Sequence, residues 1–165
     1  MATLTKLESK LAEVLGLAMA AQDAAREVRD MLGSEHEALA KKLAQARDDA
    51  RETQKRCTAL ASSFKGKKTA ILDEAREVKQ EATEMREAYL ADETDPLDGF
   101  EFLTMAEAGE VGHWSIVAKM NERAGHADLQ TLCDWALPIQ QRHLQEVLDG
   151  SLKLAADEDP DEEAS

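Results

Sequence analysis

From Leu4 onward, apolar residues recur at alternating steps of three and four: Leu4, Leu7, Leu11, Val14, Ala18, Ala21, Ala25, Val28 and Leu32. That spacing keeps them on one face of a helix. Ahead of the seam, "TKLE" is a capping box with Thr5 as N-cap and Glu8 reaching back, so a first helix is predicted from Thr5 to about Leu32, closed by Gly33. A second capping box, "SEHE" from Ser34 to Glu37, opens a second helix with the seam Leu39, Leu43, Ala46, Ala50, Thr53, Cys57 and Leu60. A single glycine between two long helices predicts an antiparallel hairpin.

After "SSFKGKK" the spacing resumes at Ile71, Ala75, Val78, Ala82, Met85 and Tyr89, a third helix read as a connector that ends before "ADETDP". Asp95 and Pro96 form an N-cap and N1 pair, which starts a fourth helix running to about Ala124 and stopping at Gly125. The fifth is predicted from about Ala127 to Leu154, with a kink at Pro138, whose ring crowds the carbonyl of Asp134.

The pattern therefore predicts an all-α chain: one domain over 1–154, with a first hairpin at about 4–63, a crossover helix at about 68–91 and a second hairpin at about 95–154. Gly at 8, Pro at 3 and aromatics at 4% agree with helices over sheets. The tail, 155–165, reads as acidic and disordered, because 157–163 hold six acids and no base. That leaves −8 of the net −14 for the rest. A surface of this sign opposes the phosphate backbone, so no nucleic-acid partner is expected, and the basic "KGKK" reads as a solvated turn. With neither a membrane-length apolar run nor a secretory signal, no membrane partner is expected and the cytoplasm is the expected location. Cys57 and Cys133 read as reduced core residues, and Met19, Met31, Met85, Met105 and Met120 as core filler.

Three polar residues, Glu110, His113 and His143, break the apolar faces. Helical residues advance about 100° each, which puts Glu110 within about 10° of the centre of the fourth helix's apolar stripe, His113 within about 50° and Glu107 at its edge near 70°. On the fifth helix, His143 falls inside the seam of Leu129, Leu132, Ala136, Ile139 and Val147, with Gln140 on its flank. Glu107 and His143 are equally far from Gly125, as are Glu110 and Gln140, so each pair is predicted to meet across the two helices. Carboxylate and imidazole at i, i+3 can bind one ion from adjacent turns, a donor set suited to iron, manganese or zinc rather than magnesium or calcium. Asp49 is the inward acid on the second helix, whereas Glu8 and Glu13 lie about 110° from the seam centre of the first.

"EVGH" at 110–113 and "QQRH" at 140–143 resemble the paired Glu-x-x-His elements of the ferritin-like superfamily, which includes rubrerythrins and small bacterial stress proteins. The likeness is clearest over 95–148 and architectural over 1–64. It implies a four-helix bundle of two antiparallel hairpins with an extra helix in the crossover, a homo-oligomer (a dimer by analogy), and a transition-metal site used in iron or oxidative-stress handling. Iron or manganese is the first choice of metal and zinc the next. The metal ligands it implies are Glu110, His113 and His143, with Glu107, Gln140 and Asp49 as completions. Gln140 stands where the family has a carboxylate, and the second helix offers Asp49 and Glu52 with no His. The competing expectation is a hydrogen-bonded polar cluster, with Glu110 protonated or paired to an imidazolium, in a non-enzymatic bundle whose metal site has degenerated and which acts in assembly or partner binding.

Overall fold

A computed structural model of the chain describes residues 2–91 and 95–163. Residue 1, residues 92–94 and the tail residues 164–165 lie outside the described residues. Every regular element described is helical: α1 (Lys6–Met31), α2 (Glu37–Ala61), α3 (Lys68–Tyr89), α4 (Pro96–Ala124) and α5 (Ala127–Ala155). No helix among the described residues is long and apolar enough to cross a membrane.

Local chemistry sets most of the ends. Thr5 accepts from the Glu8 N–H while Glu8 accepts from the Thr5 N–H, the reciprocal box expected from "TKLE" and worth roughly 1 kcal/mol. Asp95 accepts from Leu97 N–H at 2.7 Å with Pro96 at N1, and Gly125 takes φ of 71° to close α4. The second capping box does not form. The His36 N–H bonds the Gly33 carbonyl, winding 34–36 into a 3₁₀ turn, and α2 starts at Glu37 without a side-chain cap. Gly33, with φ of −78°, is extended rather than left-handed, and α1 ends one residue before Leu32. Pro138 does not interrupt α5, because it lies on the solvent face, where water can satisfy the carbonyl that its ring displaces.

α1 packs against α2, α3 and α4, α4 packs along α5, and α2 also meets α5. α3 is thus more than a connector: Ile71 and Ala75 are buried against α1, where Gly16 lets the two backbones approach. Two apolar clusters fill the interior. One gathers Leu11, Leu15, Cys57, Ile71, Trp114 and Leu129, and the other Val28, Leu43, Phe100, Leu103, Val147 and Leu154. Between the clusters the buried residues of α4 and α5 are polar, while α2 buries Ala46, Ala50 and Thr53 and α1 buries Ala18 and Ala20. Met85 and Met105, expected in the core, are 69% and 53% exposed, since α3 and α4 stand apart on either side of α1.

A candidate polar centre between the apolar clusters

Between the two clusters, Glu107 and Glu110 project from α4, Gln140 and His143 from α5, and Asp49 from α2. The four from α4 and α5 are buried, Glu107 at 6% and His143 at 3% exposure. Both pairs expected across the turn at Gly125 meet. Gln140 Nε2 donates to Glu110 Oε2 at 2.6 Å, and His143 Nδ1 lies 3.7 Å from Glu107 Oε2. The other imidazole nitrogen, Nε2, is 2.9 Å from Asp49 Oδ2, and Arg142 donates to the same carboxylate oxygen.

His113 does not join them. Although it shares the i, i+3 spacing with Glu110, its Nδ1 sits 3.0 Å from Glu13 of α1, and its side chain is 38% exposed. Glu13, predicted to point away from the seam, faces α4, and Lys10 holds it there at 2.7 Å.

The charges interlock. Burial first, and then the Glu107 carboxylate beside it, lifts the Glu110 carboxyl well above the ordinary carboxylate range; His143 and the Gln140 amide oppose that lift without cancelling it. Burial pulls His143 downward, but the contacts with Glu107 and Asp49 outweigh it and hold the imidazole at about 9, a cation at neutral pH. Near this centre Cys57 and Cys133 are free and buried, and burial raises both thiols, Cys133 to about 11, so they remain protonated.

Glu107 Oε2 is buried without a hydrogen-bond partner. At 3.7 Å its contact with His143 is an ion pair, too long for a hydrogen bond. Among the described residues, no three His, Cys, Asp or Glu side chains converge on a point that could hold a metal ion. Trp114 is fully buried beneath the cluster, and Trp135 lies under the Arg56 guanidinium at 4.1 Å.

Sequence reasoning missed Arg142 and Glu13 as partners. Arg142 precedes His143, so the same turn of α5 offers two cations to Asp49, a signal available from adjacency alone. No pattern within α1 marks Glu13, whose role depends on how α1 and α4 lie side by side. No protein family, curated protein or solved structure matches the chain.

Proposed function

We propose that the chain is a ferritin-like four-helix bundle, with α1–α2 and α4–α5 as antiparallel hairpins and α3 in the crossover, that binds a transition-metal ion at its waist. The four pairings α1–α2, α4–α5, α1–α4 and α2–α5 support the bundle. The observation that carries the metal reading is the partnerless, buried Glu107 Oε2 facing His143 Nδ1. Their 3.7 Å separation is about the span of two donors bonded to one ion at roughly 2.0–2.2 Å.

In this reading Glu107 and His143 hold the ion, and Asp49 orients the imidazole through Nε2, as carboxylates do behind metal-bound histidines. Glu110 becomes the third donor when it turns from Gln140. An iron or manganese ion there supplies redox chemistry for iron or oxidative-stress handling, and zinc fits the same donors. Binding requires His143 to release its Nδ1 proton.

A second reading has its own observation: His143, cationic between Glu107 and Asp49, balances charge with no metal, and no three donors converge. The bundle would then be non-enzymatic. Metal content per chain, measured on untagged protein and on its Glu107→Gln and His143→Ala variants, separates the two. Near-stoichiometric metal lost in both variants supports the first reading; equal trace metal in all three overturns it.

A further inference from the structure

The same waist is open on one side. Where α4 and α5 carry polar residues, α1 presents Ala20, Ala21 and Ala24, and these small side chains leave a groove of about 350 Å³ between α3 and α4. That is within the size range of small-molecule sites. Met85 of α3 and Met105 of α4 form its walls, and the Tyr89–Phe102 ring pair, with centroids 5.5 Å apart, joins them. Glu107 and Glu110 also line it.

Charge selects the occupant. The two basic side chains lining the groove are ion-paired to α1 acids: Arg86 lies 2.8 Å from Glu27, out of hydrogen-bond alignment, and His113 3.0 Å from Glu13. Of the acids, Glu110 is engaged by Gln140, whereas Glu107, more than nine-tenths buried, has an oxygen with no hydrogen-bond donor. His143 faces Glu107 from the α5 side, but it also serves Asp49, to which Arg142 donates as well, so Glu107 shares the one cation that faces it. An apolar trough ending at an acid without a donor is complementary to an ammonium group on an apolar body.

We propose that this groove binds an organic amine, its apolar portion lying along the α1 alanines and between Met85 and Met105, and its protonated nitrogen received by Glu107. The site is the metal centre's open face. The proposal does not require the metal reading, and the test uses chelator-treated full-length chain so that each stands or falls alone.

Calorimetric titration with decylamine, decanoate and spermidine, all below micellar concentrations, separates body from charge. Decylamine is expected to bind one per chain, with decanoate (same body, opposite charge) and spermidine (charge without the body) at least tenfold weaker. Glu107→Gln should weaken decylamine at least tenfold. Ala21→Leu, which fills the trough away from the cluster, should abolish binding while thermal unfolding stays cooperative, so the test survives if Glu107→Gln folds poorly. Equal binding of decanoate, undiminished binding to Ala21→Leu, or no binding at all overturns the proposal. So does a dimer that excludes decylamine and that Met105→Lys converts to monomer, because a second copy would then be the occupant.

Discussion

His143 couples the stability of the waist to pH. Its imidazole is held at about 9 in the folded chain, against an ordinary value near 6.5, by Glu107 and Asp49 working against burial. A group raised on folding stabilises fully below its unfolded value and loses that contribution as pH climbs through the folded one. The unfolding free energy read from urea curves should therefore fall between pH 6.5 and 9 by an amount on the order of 3 kcal/mol, with His143→Gln flattening that slope. Glu110 has the same sign over a lower range, since burial and the Glu107 charge raise it above its ordinary value. Its cost is present at neutral pH and relieved as pH falls toward 4.5. Glu110→Gln removes that burden while still accepting from the Gln140 amide. It should stabilise the chain by about 1 kcal/mol at pH 7 and by less at pH 4.5, read from the same urea curves.

At the scale of helices, glycines mark where two backbones touch and where they do not. A Cβ at Gly16 would meet the Ala75 carbonyl oxygen at 2.5 Å and Val78 Cβ at 2.7 Å, whereas one at Gly112, on the exposed face of α4, meets nothing. Gly112→Ala should thus raise stability by roughly 0.5–1 kcal/mol through helix propensity alone. Gly16→Ala should lower it by about 1–3 kcal/mol despite the same gain, because α3's backbone must move. Thermal unfolding gives both signs, and faster amide exchange confined to α3 in Gly16→Ala would locate the damage. Helix ends were legible wherever the capping groups are contiguous in sequence, as at Thr5, Asp95 and Gly125. They were misread at Ser34, where a backbone bond from His36 wins over the hydroxyl. The exposed flank of α3 was not legible, because an apolar stripe cannot tell a helix packed on two neighbours from one packed on α1 and left open beyond it.

Across the whole molecule, the tail and the packed helices are separable in charge and contact. Residues 157–163 form exposed turns beyond α5 and carry six of the acids. Deleting 157–165 should leave the unfolding free energy within about 0.5 kcal/mol of the full chain. A larger change by urea titration would mean that the tail packs on the helices. The pairing of Glu110 with Gln140 and of Glu107 with His143 was readable from their equal distances from Gly125, since a tight turn converts distance along the chain into height along both helices. His113 and Glu13 meet between helices that no short turn joins, and so escaped that reading. The left-handed glycine at 125 consequently acts as the zero mark of a ruler. One residue added there would leave α4 and α5 individually intact yet rotate one past the other by about 100°, unmaking both buried contacts in a single step. Insertions should be tolerated between α2 and α3 and refused at 125–126, and a library of one-residue insertions sorted by solubility would display that contrast along the chain.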